Sequence, residues 1–216
     1  MALLVKQKKG RGPGAAGKTV SSFEDSAFLK ATWGRISVLV LVMLFPCSQA
    51  LLGAESVREY QIKAAFLYNF AKFVEWPASA LANGNSPIVI GVLGKNPLGD
   101  ELEKVVKGKT VNGHPLIVKR SPKLEELQSC HLIFAGAEEE KRLPELFAAL
   151  RDSSVLTVGE SQQFGELGGM INFVLEGDKV RFEIDVEVAG RVGLKINAQL
   201  QKLAKAVHGA REMGRK

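Results

Sequence analysis

The twelve residues IVIGVLGKNPLG, 88–99, place a strand directly before a helix. The first part is a continuous apolar run of strand length, which is typical of a strand buried on both faces of a sheet. Asn96 is a suitable N-cap and Pro97 suits the first helical position, so a helix is expected to follow at once. This strand-to-helix step predicts an α/β fold.

The same alternation continues along the chain. Further strands are expected at 116–118, 130–135 and 155–158, with helices at 122–127 and 138–150 and a last helix over 189–207. Two apolar arms within 170–186 flank Gly177-Asp178 and predict a hairpin, whose second arm alternates like an antiparallel edge strand. The predicted fold class is α/β: a single domain with a mainly parallel sheet, helices on both faces, a C-terminal antiparallel hairpin and a terminal helix.

Before the first strand, the stretch EYQIKAAFLYNFAKFVEWP, 59–77, holds six of the chain's fifteen aromatic residues. Its apolar residues recur at spacings of three and four over a wide arc, which predicts a helix over 59–75 packed on the sheet. Its lysines and glutamates argue against a membrane span. The residues Tyr68 and Trp76 fall beside the main stripes and are candidates for partner binding, because amphipathic rings often lie at interfaces. Ordinary core packing is the alternative for both.

The N-terminal part has the layout of a secretory signal. Arg35 precedes the apolar run 36–44, and small residues follow Pro46. This layout predicts cleavage between Ala50 and Glu55 and a periplasmic location; an uncleaved anchor is the alternative. The predicted organisation is a leader with signal peptide at 1–54, one α/β domain at 55–208 and a polar tail at 209–216.

The net charge of +6 is unevenly distributed. Residues 1–54 carry seven of the 29 Lys/Arg and two of the 23 Asp/Glu, a net +5. The body is left with a net charge of +1, so it has no electrostatic footprint for nucleic acid.

No catalytic constellation, metal-ligand spacing or cofactor motif emerges from the sequence. Cys130 and His131 are neighbours in a predicted strand, where side chains point to opposite faces, so an inert buried thiol is the better interpretation. Gly168-Gly169 indicates unusual dihedrals or close packing.

A ligand crevice is the second kind of site that the pattern suggests. Open α/β sheets bind ligands at the carboxyl ends of their parallel strands. The residues expected there are Lys95, Asn96, Gly136, Glu160 and Ser161.

Several segments together resemble the YfiR-type family of periplasmic proteins. They are IKAAFLYNFAKFVEWP, IVIGVLGKNPLG, VNGHPLIVKR, LQSCHLIFAG and the run from VLTVGES to LQKLA, in the family's order over about residues 57–206. The resemblance implies a non-enzymatic repressor, a dimer, that binds the periplasmic sensing region of an inner-membrane diguanylate cyclase or another membrane sensor. An outer-membrane lipoprotein would sequester it.

Two residues depart from the family's pattern. The best-known member carries disulfide-forming cysteines, whereas only Cys130 remains here after cleavage, so redox control is not implied. Asp185 stands where the related pattern has Asn. Three hypotheses therefore remain: a periplasmic repressor, a small-ligand-binding module and an enzyme. The enzyme is the least favoured of the three, because the sequence shows no catalytic constellation.

Overall fold

The computed structural model describes residues 47–81 and 85–209, with side chains from residue 56 onward. The chain divides into two units, Met1–Ala50 and Leu51–Lys216, and only the helical residues 47–50 of the first unit are described. The predicted leader lies outside the described residues except for 47–54, and the predicted tail except for Gly209.

The described chain alternates short strands with helices. In order, the elements are α1 Cys47–Phe73, β1 Val74–Glu75, β2 Ile88–Leu93, α2 Glu101–Val106, β3 Thr110–Val111, β4 His114–Ser121, a 3-10 turn Leu124–Glu126, β5 Leu132–Ala135, a 3-10 helix Ala137–Arg142, α3 Leu143–Ala149, β6 Leu156–Gly159, β7 Ile171–Glu176, β8 Lys179–Asp185, α4 Val186–Arg191, β9 Lys195–Ile196, α5 Ala198–Leu203 and β10 Ala206–His208.

Eight of these strands form one sheet in the order β10-β8-β7-β6-β5-β2-β4-β3. The strands from β4 across β2, β5 and β6 to β7 run parallel, and β8 pairs antiparallel with β7. β1 and β9 form a separate two-stranded antiparallel ribbon. The mixed α/β fold with a mostly parallel sheet and a C-terminal hairpin is confirmed.

Helices cover both faces of the sheet. In β5, Leu132 and Phe134 pack into the core on the α1 side, while Ile133 and Ala135 pack into the core on the α3 side. All four are buried. A strand that is buried on both faces needs apolar residues at every position, which explains the uninterrupted apolar runs of β2 and β5.

Helix α1 packs on the sheet through the aromatic stretch. The Phe66 and Phe70 rings contact Phe182 at centroid distances of 5.2 and 5.0 Å, and Phe70 contacts Phe173 at 5.5 Å. The core interpretation of this helix is confirmed. Within the described ranges, no helix combines the length and the apolar composition of a membrane span.

The end of α1 differs from the prediction over 59–75. The helix stops at Phe73 because Val74 and Glu75 pair with Ile196 and Lys195 of β9. A two-residue strand formed with a partner about 120 residues away leaves no local signal in the sequence.

The predicted C-terminal helix over 189–207 is wrong: the region forms α4, β9, α5 and β10. Gly193 adopts a positive φ of 78°, and the Leu194 N–H donates to the Ala189 carbonyl, which ends α4. Asn197 then caps α5 by accepting from the Gln199 N–H at 2.8 Å. The last described element, β10, pairs parallel with β8, so β8 is not the edge strand that the sequence predicted.

The helix predicted over 138–150 begins as a 3-10 helix. The Leu143 N–H donates to the Glu140 carbonyl, and Pro144 lies in the first turn of α3. Because Pro144 has no N–H to extend an earlier α-helical ladder, the α-helix starts there. The helix expected over 122–127 is only the 3-10 turn Leu124–Glu126.

Candidate functional site

Glu160 directly follows β6 and binds three donors from distant parts of the chain. Its Oε2 accepts from Lys63 Nζ at 2.5 Å, and its Oε1 accepts from the Tyr60 hydroxyl at 3.2 Å and the Ala137 N–H at 3.0 Å. The Lys63 and Glu160 side chains are each 5% exposed. Charge-assisted bonds from three directions fix this carboxylate in one orientation.

Lys63 forms a second ion pair with Glu59, one turn earlier on α1. Its Nζ also lies 4.6 Å from the centroid of the Tyr60 ring, a favourable cation–π geometry. Buried charges are tolerated only when they are paired and hydrogen-bonded, and Lys63 meets both conditions. The two carboxylates and one ammonium leave the cluster with one negative charge in excess.

Tyr60 acts as a hydrogen-bond donor in this cluster. Burial, and after it the neighbouring carboxylate of Glu160, raises the pKa of the Tyr60 phenol far above its ordinary value. The hydroxyl therefore keeps its proton near neutral pH and donates it to Glu160.

A cavity of about 400 Å³, which we call the Glu160 pocket, opens beside the cluster. Its lining comprises Glu59, Tyr60, Lys63, Ala137, Glu160, Ser161, Gln162, Asn172, Phe173, Val174 and Leu175. Ser161 is 6% exposed. Its Oγ and the Asn172 Oδ1 are buried and have no hydrogen-bond partner among the described residues. Because buried polar atoms nearly always have partners, these two atoms are among the few exceptions in the part of the chain that the structure describes.

The pocket lies where the fold favours a binding site. Glu160 and Ser161 follow the carboxyl end of β6, while Val174 and Leu175 belong to the neighbouring strand β7, which is parallel to it. Crevices at the carboxyl ends of parallel strands are the usual ligand sites of open α/β sheets.

The five residues predicted for a crevice are only partly brought together. Glu160 and Ser161 line the pocket, and a Cβ added to Gly136 would lie 3.3 Å from Glu160 Oε1. Lys95 lies elsewhere, 80% exposed and 2.9 Å from Glu138. Asn96 is also outside the lining; its Nδ2 donates to the Gly99 carbonyl at 2.7 Å.

The chain itself occupies the space beside the first strand-to-helix loop. A Cβ added to Gly94 would lie 1.9 Å from Glu139 Oε1, so this carboxylate packs directly against the loop. In the sheet, β2 lies between β4 on one side and β5 on the other. The Glu160 pocket lies further along the sheet, where β6 ends beside β7.

The two aromatic partner-binding candidates differ in their surroundings. Trp76 is 9% exposed, and its Nε1 donates to the His131 carbonyl at 3.2 Å, so its ring lies in the core. Tyr68 is only partly buried, and the Lys109 ammonium lies 4.2 Å from its ring centroid. Partner binding by either ring stays a prediction.

Cys130 and His131 do not face one another as nucleophile and base. Burial raises the pKa of the Cys130 thiol, which is free and lies in the core on the α3 side. The His131 Nδ1 accepts from the Val89 N–H at 3.1 Å, and its Nε2 lies 3.1 Å from the Ala80 carbonyl, to which it donates. Both residues stabilise the fold. Throughout the described part of the chain, no group of His, Cys, Asp and Glu is arranged to hold a metal ion.

Sequence reasoning missed the α1 side of the pocket. The helical pattern of 59–75 assigns Glu59, Tyr60 and Lys63 to an amphipathic helix and gives them no part in a site. A signal existed, because Lys63 directly precedes the buried residue Ala64 and lies four residues after Glu59. A lysine at the edge of a wide apolar arc with a carboxylate one turn away indicates a paired, buried ammonium.

The model of the YfiR/HmsC-like family matches residues 60–205. This range includes the aromatic part of α1, every strand of the eight-stranded sheet except β10, and every lining residue of the Glu160 pocket except Glu59. The chain belongs to this family. YfiR/HmsC-like proteins form a family of regulators, which agrees with the resemblance found in the sequence. No curated protein matches the chain.

Two solved structures show a more distant likeness. A conserved domain protein from Vibrio cholerae O1 biovar El Tor str. N16961 is 13% identical, with a TM-score of 0.44 over 60% of this chain and 57% of that chain. An ABC domain in complex with L-Trp from Streptococcus pneumoniae is also 13% identical, with a TM-score of 0.41 over 55% of this chain and 54% of that chain. The chain thus spans little more than half of either protein.

Proposed function

We propose that the exported chain is a non-enzymatic periplasmic regulator that binds and represses the periplasmic sensing region of an inner-membrane diguanylate cyclase. The match of the YfiR/HmsC-like family over residues 60–205 is the observation that supports it. In this proposal the chain acts as a homodimer, and an outer-membrane lipoprotein competes for it. Another inner-membrane sensor protein is the alternative partner.

The surface around Tyr68 is a suitable contact for such a partner. Its ring is partly exposed on α1, and the Lys109 ammonium lies over it. An amphipathic ring beside a cation suits an interface that contains both apolar and acidic groups.

Gene deletion and co-purification test the regulator proposal together. Deleting the gene is expected to raise cyclic-di-GMP and surface adhesion, and complementation in trans is expected to restore both. The mature protein, used as bait on solubilised inner membrane, is expected to retain a membrane sensor protein. Unchanged cyclic-di-GMP together with no retained sensor protein would contradict the proposal.

Binding of a small ligand is a second candidate function, and the Glu160 pocket favours it. The pocket has a volume of about 400 Å³, within the range of small-molecule sites. Its lining contains two buried polar atoms without a partner among the described residues. Such a ligand would act as a signal that changes the regulator's affinity for its partner.

A further inference from the structure

A second cavity, which we call the arginine cavity, has a volume of about 440 Å³. It lies between α3, α4 and the segment that joins β6 to β7, and Arg151 and Arg191 are part of its lining. It shares no lining residue with the Glu160 pocket, so the two are separate sites.

The rest of the lining is mostly apolar. Leu150, Val155 and Met170 line the cavity and are buried, whereas Leu167 lines it and is 41% exposed. The volume lies within the range of small-molecule sites, and an apolar lining of this kind binds the hydrocarbon part of a ligand.

Arg151 lies on the face of α3 that lines the cavity. Phe147 and Ala148 line it from this helix, and Arg151 follows them by four and three positions. The helical turn continues past the end of α3, because the Leu150 N–H donates to the Leu146 carbonyl at 3.1 Å. Residues at spacings of three and four share one helix face, so the Arg151 side chain lies on the cavity side.

Arg191 reaches the cavity from the last turn of α4. Val188, three positions earlier, and Val192, the next residue, also line it. The Arg191 Nη2 donates to Glu187 Oε1 at 2.7 Å, and the Arg191 side chain is still 68% exposed. Because a guanidinium has five N–H donors, several remain for a ligand.

The charges around the cavity favour an anion. None of the described residues that line it is acidic. Glu187 neutralises Arg191, whereas the Arg151 side chain is exposed and has no ion pair with any described residue. One positive charge is therefore in excess, which matches a ligand with a single negative charge. A guanidinium binds a carboxylate through paired, charge-assisted hydrogen bonds.

We propose that the arginine cavity binds a medium-chain aliphatic carboxylate, a single anionic group on an alkyl chain. The carboxylate accepts from the Arg151 guanidinium, and Arg191 adds attraction from α4. The alkyl chain lies along Leu150, Val155 and Met170. The volume suits one short chain rather than the two acyl chains of a membrane phospholipid, so the ligand is a free carboxylate. This site goes beyond the function proposed above and does not depend on it.

Three probes of matched chain length separate charge from shape: octanoate, n-octanol and n-octylammonium. Each is titrated, below the concentration at which it forms micelles, into the isotope-labelled protein while the backbone amide resonances are followed. We expect octanoate to give saturable shifts at Arg151, Gly168 and Val192. Its affinity is expected to be at least about tenfold higher than that of n-octylammonium, because the arginines donate charge-assisted hydrogen bonds to one and repel the other. The neutral n-octanol is expected to bind more weakly than octanoate.

Three variants test the residues, and a fourth serves as the control. Arg151→Gln is expected to weaken octanoate about tenfold and to leave n-octanol unaffected, because it removes a charged donor without changing the apolar lining. Arg191→Gln is expected to act in the same direction. Ala148→Trp fills part of the cavity from an exposed position of α3 and is expected to weaken octanoate and n-octanol alike. The matched control Arg58→Gln changes an exposed arginine outside the lining and should bind like the unaltered protein.

Each contrary outcome removes a different part of the inference. Equal or tighter binding of n-octanol or n-octylammonium at the same resonances would overturn the anion. No shift with any probe at millimolar concentration would overturn the site. If the arginines only stabilise the C-terminal ends of their helices, both glutamine variants lower the Tm and bind octanoate unchanged, which would overturn their assignment. Binding to phosphatidylglycerol vesicles without binding to octanoate would overturn the free carboxylate. None of these results affects the proposed repressor, which rests on the family match.

Discussion

Lys63 and Glu160 are buried residues that form an ion pair. We expect Lys63→Met to lower the free energy of unfolding by about 3–5 kcal/mol, because it leaves the Glu160 carboxylate buried without its ammonium. The double variant Lys63→Met/Glu160→Gln is expected to recover much of that loss. Urea denaturation of the single and double variants measures the coupling.

The exposed pair of Lys95 and Glu138 provides the matched control. Lys95→Met is expected to leave the free energy of unfolding nearly unchanged, because water screens exposed ion pairs. If the double variant lost the sum of the free energies that Lys63→Met and Glu160→Gln lose separately, the two side chains would not interact, and the proposed ion-pair coupling would be contradicted.

His131 makes the fold sensitive to mildly acidic pH. Burial lowers the pKa of its imidazole below the ordinary 6.5, and the Val89 N–H points at Nδ1, the atom that a second proton would occupy. Since the unfolded chain then binds more protons than the folded chain, stability is full above about pH 6.5. It falls as the pH drops below that value and levels off below the folded pKa.

Denaturation at pH 7.5 and at pH 5 checks this pH dependence. The stability difference between the unaltered protein and His131→Gln should shrink at pH 5. The control His208→Gln alters an exposed imidazole and should retain the full pH response. An undiminished difference at pH 5 would show that His131 does not titrate as described.

Phe164 is enclosed by two glycines. A Cβ on Gly169 would lie 2.1 Å from the Phe164 ring and 2.7 Å from its carbonyl oxygen. Gly169→Ala is therefore expected to cost about 1–3 kcal/mol through overpacking. Gly165→Ala is the control, because no atom lies within 4 Å of its added Cβ. Equal melting temperatures for the two variants would contradict this packing.

At the scale of an element, Asp185 begins helix α4. Its Oδ1 accepts from the Glu187 N–H at 3.0 Å and the Val188 N–H at 2.9 Å. Asp185→Ala is expected to lower the free energy of unfolding by about 1 kcal/mol, whereas Asp185→Asn should keep most of it, because both residue types cap helices well. Thermal melts of both variants check this, and equal losses would argue against the cap. The departure from the family's Asn is thus conservative in structure.

Most long elements could be predicted because their signals are local. The apolar run of β2 and the Gly177-Asp178 turn of the hairpin each determine one element through nearby residues. Gly168 and Gly169 show the positive φ and the close packing that the glycine pair indicated. The prediction of one C-terminal helix over 189–207 was wrong because Gly193 and Asn197 interrupt the helix, although the apolar spacing alone favours it. β1, β9 and β10 depend on pairing with distant strands, which periodicity does not reveal.

Only part of the candidate site could be predicted, again because some of its residues have a local signal and others do not. Glu160 and Ser161 follow a parallel strand, so the rule for strand ends finds them. The other half comes from α1 and β7, whose residues reach the pocket only through tertiary packing. The contact of Glu139 with the loop at Gly94 was equally invisible in the sequence, since it depends on tertiary packing.

At the scale of the whole molecule, the two sides of α1 have separate roles in the proposed regulator. Tyr68→Ala is expected to relieve repression with a nearly unchanged Tm, because its ring is partly exposed. Phe70→Ala serves as the comparison and is expected to lose about 3–5 kcal/mol, because its ring is fully buried. A cyclic-di-GMP reporter read beside melting curves distinguishes them. Full repression by a stable Tyr68→Ala protein would remove this ring from the proposed interface.

The order in which the chain is synthesised gives the Lys63–Glu160 pair a further consequence. The two residues are 97 positions apart, and α1 meets the Phe173 and Phe182 rings later still. Such a high contact order means that α1 waits until about 100 further residues have been synthesised before its buried face is covered. Until then the nascent chain exposes its most aromatic segment. A chaperone that recognises unfolded aromatic sequences therefore has a long interval in which to bind it.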